Sequence, residues 1–246
     1  MSACVLVQTC DRYRPFWEGF WHFMEKHWDF DIDVPIYFCN EEEESGAPDW
    51  CRRLKTGKGT FVQNLTYSLS SVEEDTVFLL LEDFWPIAPF KRKMFDALMS
   101  EFEGSGLDAL QVSNYTPYYK IEPSGREVLG RPLMRFARDS DWIFNFQARF
   151  WRKSSILRCL VEPEISERQV GSAITAEMAA DSVARNGLEL NVCLFHYLWY
   201  PLSGVSYRGQ MTEFGRHLEN IVRIDKHVDE LFSPPPASNT RPVCSA

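Results

Sequence analysis

The chain has 246 residues, enough for one large α/β domain or two small ones, and its 45% apolar and 25% charged content is that of an ordinary soluble globular protein. A formal net charge of −9 leaves no surplus of Lys and Arg to neutralise a phosphate backbone, which argues against a nucleic-acid partner. No apolar run approaches the ~20 residues that cross a bilayer, residues 1–10 carry neither the charged start nor the cleavage site of a leader, and none of the seven Cys has C-x-x-C spacing. A cytoplasmic protein without a transmembrane segment, a zinc site or a disulfide framework is the expectation.

In chain order, Ala3 to Gln8 is a short run rich in β-branched residues and predicts a buried first strand. Thr9 to Tyr13 is a polar turn, after which Pro15 opens a helix in its favoured first-turn position. Phe16, Phe20, Phe23, Met24 and His27 recur at helical spacing over residues 15–28. Residues 34–39 predict a second strand that runs into Asn40 and the acidic run Glu41 to Glu44. Residues 45–59 read as a loop with a basic cluster of Arg52, Arg53, Lys55 and Lys58. Helical spacing returns at Leu65, Leu69 and Val72.

Thr76 to Leu81 is the strongest signal in the chain. It is a continuous apolar run of the kind found in strands buried on both faces. It runs straight into Glu82 and Asp83, which therefore belong where the strand emerges, at its carboxyl end. Residues 91–103 predict a helix ended by Gly104 and Gly106, and residues 109–112 a short strand. The first 114 residues thus alternate strand and helix, which implies βαβ units and a mostly parallel central sheet flanked by helices.

The second half is less regular. Residues 115–141 suit a β-ribbon or a mobile loop, 142–151 a strand, 153–160 a short helix, and 172–186 a helix capped by Gly187. Residues 190–200 suit a strand or a buried helix, and 205–209 a last short strand. No repeat or linker divides the chain, so one domain is expected over 1–232, with a Pro- and Ser-rich disordered tail over 233–246.

Three stretches together resemble glycosyltransferases of the GT-A type. They are the first strand with its Thr9-Cys10-Asp11-Arg12-Tyr13 turn, Leu80-Leu81-Glu82-Asp83-Phe84, and Asn145 to Lys153. The middle stretch is similar to the acidic element of bacterial and viral polysaccharide-building members, with Glu82 in place of the first Asp. The resemblance implies a single GT-A-like (Rossmann-like) α/β domain whose second half forms the acceptor side. It implies transfer of a sugar from a nucleotide-diphosphate donor of the UDP or TDP type to a saccharide acceptor, in building a surface polysaccharide. Peripheral membrane association through a lipid-linked acceptor stays open.

On this reading Asp83 is the ligand of Mn²⁺ or Mg²⁺, a hard cation taking few protein carboxylates plus phosphate oxygens. Thr9, Cys10, Asp11, Tyr13 and Glu82 surround the nucleotide, with Arg53 and Lys58 as a diphosphate clamp. Asp11 suits a helix-capping role equally well, and the basic cluster suits neutralisation of Glu41 to Glu44. Glu177 is the candidate general base, one turn before Asp181, with Asp139 and Asp141 as alternatives and a plain surface carboxylate as the bland reading. Tyr118, Trp142 and Gln147 are acceptor-side candidates, and Tyr119 shares the place of Tyr118. Two other functions stay open: a sugar-phosphate nucleotidyltransferase, for which the turn after the first strand lacks a Gly-rich loop, and a non-catalytic nucleotide- or sugar-binding module.

Overall fold

The computed structural model describes residues 2–112, 119–161, 172–195, 202–207 and 209–232. A nine-stranded sheet forms the centre. In chain order its strands are β1 (Ala3–Gln8), β2 (Ile36–Asn40), β3 (Arg52–Lys55), β4 (Thr76–Leu81), β6 (Ala109–Gln111), β7 (Ile121–Val128), β8 (Arg131–Phe136), β9 (Arg149–Arg152) and β10 (Val192–Leu194). Their spatial order is β3-β2-β1-β4-β9-β6-β10-β8-β7. Strands β3, β2, β1 and β4 are mutually parallel, β9 runs against β4 and β6, and β6 and β10 are parallel again. The mostly parallel α/β sheet expected from the sequence is therefore present.

Six helices among the described residues cover the sheet: α1 (Arg14–His27), α2 (Phe61–Ser71), α3 (Arg92–Ser105), α4 (Lys153–Leu160), α5 (Ala173–Asn186) and α6 (Glu213–Phe232). Alternation along β4 shows how the layers divide. Phe78 and Leu80 pack with Phe20, Met24, Phe95, Phe102 and Val222 of α1, α3 and α6. Val77 and Leu79 pack on the opposite face with Leu65, Leu69, Ile156 and Ala180 of α2, α4 and α5. Both faces being covered is what the unbroken apolar run demanded.

Several details depart from the sequence expectations. Residues 142–148 are an irregular strap, and the expected strand begins only at Arg149. Trp142 there adopts a left-handed φ of 61°, which no extended segment permits and which costs a side-chain-bearing residue roughly 1–2 kcal/mol. The basic stretch expected to be a loop contributes β3, an edge strand paired only to β2. Residues 115–141 resolve as a ribbon for their described part, β7 and β8, turning at Leu129 and Gly130 with φ of 50° and 72°. Helix α6 was not anticipated, although Leu218 and Val222 sit at helical spacing and are buried. Tyr118, the end of the 190–200 run and the 233–246 tail lie outside the described residues.

A short β5 (Phe84–Pro86) leaves the end of β4 and pairs antiparallel with β11 (Leu202–Gly204). Helix α1 crosses β5 so closely that a Cβ placed on Gly19 would lie 2.0 Å from Cη2 of the buried Trp85 indole. Gly19→Ala should therefore destabilise the fold by about 1–3 kcal/mol through overpacking, even though alanine favours the helix. Urea unfolding followed by fluorescence checks this; an unchanged midpoint would show that Trp85 can swing aside.

Candidate active site

The carboxyl ends of β1, β2 and β4 open on one cleft, the edge where open α/β sheets bind ligands. Gln8, Thr9, Cys10, Arg12 and Tyr13 come from the end of β1 and the turn after it, and Glu41 from the end of β2. Leu81, Glu82 and Asp83 come from the end of β4. Gly59, Phe61 and Asn64 surround the start of α2, and Ser172 and Ala173 form the start of α5. The cleft measures about 740 Å³ including its open mouth, within the size range of a small-molecule site.

Two helix starts on one cleft matter electrostatically. Helix α2 carries a capping box of Thr60 and Gln63, and α5 one of Ser172 and Thr175. Helix N-termini favour anions. The same cleft is lined by the carboxylates of Glu41, Glu82 and Asp83. Glu82 is buried, and its carboxyl is pushed well above the ordinary range by desolvation and by the neighbouring Asp83, with the Thr9 hydroxyl partly offsetting this. Asp83 is also raised by burial, with a hydrogen bond from Ser206 working the other way. Ser206 Oγ donates to Asp83 Oδ2 at 2.6 Å, while Oδ1 is buried with no hydrogen-bond partner among the described residues. Tyr13 has its phenol raised by burial and then by Asp83 and Glu82, which places it in the same field. Burial, Glu82 and Glu41 push the Cys10 thiol up to about 11, so it stays protonated at neutral pH.

Arg12 is the one cation among the described residues that line the cleft, and it forms no ion pair among them. It was not singled out in the sequence because it sits inside the polar turn, whereas Arg53 and Lys58 stood in a visible cluster. Those two are engaged elsewhere. Arg53 donates to the Ala47 carbonyl and lies 3.4 Å from Asp49, and Lys58 lies 3.3 Å from Glu42. Neither lines the cleft.

Asp11 does something the sequence did not show. Its Oδ1 accepts from Asn40 Nδ2 at 2.9 Å, and its Oδ2 accepts from the Glu42 and Glu43 amides, each at 2.9 Å. These donors hold its carboxyl below the usual range despite some desolvation. Asp11 thus ties the β1 turn to the loop after β2. No side-chain cap is present at the start of α1. Thr9 is also occupied: its Oγ1 accepts from the Trp17 indole at 2.9 Å.

Glu177 lies on α5, one turn past the cleft-lining Ala173. Its Oε1 accepts from the Phe146 amide at 2.5 Å. Burial raises its carboxyl to about 7. The Phe146 amide and Arg149 work against that rise, and Asp83 and Asp181 add to it. Glu177 itself does not line the cleft. Asp141 instead pairs with Arg185 at 2.9 Å on the exposed side of α5, and Asp139 pairs with Lys120 at 2.7 Å. Trp142 and Gln147 both lie on the strap: the Trp142 carbonyl accepts from Asn145 Nδ2, and the Gln147 amide donates to Asn145 Oδ1. Tyr119 is buried, its hydroxyl within hydrogen-bond distance of Gln111 Nε2 and Asn145 Nδ2.

No protein-family model and no curated protein matches the chain. Solved structures do share its fold. Staphylococcus aureus TarS superposes with a TM-score of 0.51 at 12% identity, covering 92% of this chain and 39% of TarS. A UDP-glucose pyrophosphorylase complexed with UDP-glucose gives 0.51 at 8% identity, covering 93% of this chain and 99% of that one. The likeness is one of fold alone.

Asp11→Ala should loosen the loop over 41–43 and cost about 1–2 kcal/mol, since it leaves a buried amide donor of Asn40 and two loop amides without their acceptor. The sign with pH follows from the lowered carboxyl. The stabilisation is complete above the unfolded value of about 3.9 and disappears as pH falls through the lower native one. Denaturant midpoints of the variant and the parent should therefore converge in acid. A constant gap would assign the loss to something other than this carboxylate.

Proposed function

We propose that the chain is a metal-assisted glycosyltransferase that moves a sugar from a UDP- or TDP-type nucleotide-diphosphate donor to a saccharide acceptor. One observation carries this reading: desolvated Glu82 and Asp83 share a cleft with the starts of two helices and with Arg12, which forms no ion pair among the described residues. Like charges packed this way are unfavourable alone. A ligand that brings a cation for the carboxylates and phosphates for Arg12 and the helix starts satisfies all of them.

The donor set fits Mn²⁺ or Mg²⁺. Asp83 Oδ1 is a hard oxygen without a hydrogen-bond partner among the described residues, and no cluster of three or more His, Cys, Asp or Glu among those residues forms a closed cage. Asp83, with Glu82 beside it, would hold the cation, and donor phosphates and water would complete its ligands. Bound there, a divalent ion offsets the negative charge that gathers on the leaving diphosphate. Arg12 neutralises the outer phosphate oxygens. The Phe61 and Tyr13 rings offer walls for the base and ribose. Glu177, with a carboxyl near neutrality, takes the proton of the acceptor hydroxyl in an inverting transfer. Trp142 and Gln147 on the neighbouring strap set the acceptor side. Surface polysaccharide synthesis is the setting that the sequence resemblance suggests.

The nucleotidyltransferase alternative shares the fold, but the turn over 9–13 contains no Gly to let a backbone cradle phosphates.

The test begins with thermal melting against UDP, TDP, GDP and CDP, with and without Mn²⁺. Saturation at ~100 times Kd should raise the melting temperature by roughly 5 °C or more with UDP or TDP, and Asp83→Asn should remove the Mn²⁺-dependent part. A flat response across the panel would overturn the proposal.

In transfer assays Glu177→Gln should lower kcat by ~10²–10⁴ with donor KM little changed. Because the base must be ionised, kcat/KM should climb with pH and level off above about 7. Release of pyrophosphate from a nucleoside triphosphate and a sugar phosphate would instead establish the nucleotidyltransferase.

A further inference from the structure

Arg149 is fully buried, yet among the described residues no carboxylate forms an ion pair with it. Its Nε and Nη2 both donate to Gln111 Oε1, at 3.1 and 2.5 Å. Its Nη1 donates to the Ile143 carbonyl at 2.6 Å and its Nη2 to the Trp142 carbonyl at 3.3 Å. The guanidinium lies 5.5 Å from the ring centroids of both Phe136 and Trp151. Burying a cation against neutral acceptors is costly for a fold, so its neighbours identify what it does.

The two carbonyls belong to the 142–148 strap. The same strap turns its amides the other way, onto α5: Phe144 N donates to Asp181 Oδ1 at 3.2 Å and Phe146 N to Glu177 Oε1 at 2.5 Å. Asn145 lies between, its Nδ2 reaching Gln111 Oε1 at 3.3 Å. The Phe146 ring packs 4.9 Å from Phe61, which lines the cleft. A single seven-residue segment therefore has Arg149 beneath its carbonyls, the candidate base on its amide, and the cleft wall against its ring.

We propose that Arg149 is a positioning residue: its guanidinium fastens the 142–148 strap, and the strap holds Glu177 beside the cleft. This rests on the reading of Glu177 as the base. Two effects follow and can be separated. The fork of N–H donors fixes the strap mechanically. The charge favours the ionised form of Glu177 against the field of Asp83, at the end of β4, and against that of Asp181 on its own helix; the Phe146 amide acts in the same direction as Arg149. Arg185, which lies 3.1 Å from Asp181, screens that second carboxylate from the solvent side.

The test uses the full chain without substrate. The carboxyl of Glu177 is titrated by ¹³C NMR, assigned by the resonance lost in Glu177→Gln, and exchange of the Phe146 amide is measured beside it. In Arg149→Met the midpoint should rise by about one unit or more and the amide should exchange roughly tenfold faster. Arg149→Lys keeps the charge and loses the fork, so the midpoint should stay while exchange still accelerates. A folded Arg149→Met with both readouts unmoved overturns the proposal. Where that variant does not fold, unchanged exchange in Arg149→Lys overturns it. Both readouts are independent of turnover: if they shift but the parent transfers no sugar, the transferase reading falls and the positioning stands. Where both hold, Arg149→Met should lower kcat with donor KM unchanged and move the acid limb of kcat/KM upward with the titration.

Discussion

Everything in the cleft depends on where β4 is forced to stop. Val77 to Leu80 are all buried, two on each face of the sheet. At about 1.5–3 kcal/mol for each such side chain, these four alone are worth roughly 6–12 kcal/mol relative to exposure, so the strand cannot slide to relieve its polar end. Glu82 and Asp83 are consequently held in poorly hydrated surroundings at a cost that the strand outweighs. A pair of carboxylates on a mobile loop would turn to water. Here they stay desolvated because the segment before them is so well packed.

The parts of the fold legible in the sequence are those whose burial is two-sided or periodic. Strands β1, β2 and β4 announce themselves as unbroken apolar runs, and α1, α2 and α3 through a repeating apolar stripe. Strand β3 was hidden because an edge strand pairs on one side only and needs no apolar run. Arg52-Arg53-Leu54-Lys55 satisfies it, and such charges also keep an exposed edge from pairing with other chains. The strap over 142–148 misled because Ile143, Phe144 and Phe146 are buried without forming a ladder. Aromatic content reports burial, while the geometry here is set by Arg149 and the carboxylates of α5, which come from other parts of the chain.

The same division applies to the cleft. Asp83, Glu82 and the 9–13 turn could be placed because each adjoins a recognisable strand end. The role of Asp11 could not be foreseen, since its partners Asn40, Glu42 and Glu43 lie some thirty residues away. Arg12 and the basic cluster show the converse. Clustering drew attention to Arg53 and Lys58, whose charges are taken up by Asp49 and Glu42, while Arg12 lines the cleft and forms no ion pair among the described residues.

The bond from Ser206 to Asp83 spans 123 residues, and β5 waits for β11 over a similar interval. A ribosome adding residues from the amino end would expose β1, α1, β2 and β4 long before the segment that completes their edge exists. Contacts of such high sequence separation form late. Until then the acidic pair lacks its hydroxyl partner, and β5 presents an open edge. The Ser206 bond to Asp83 is thus among the last features that a newly made copy acquires, and shortened products ending before residue 202 would carry most of the sheet without it.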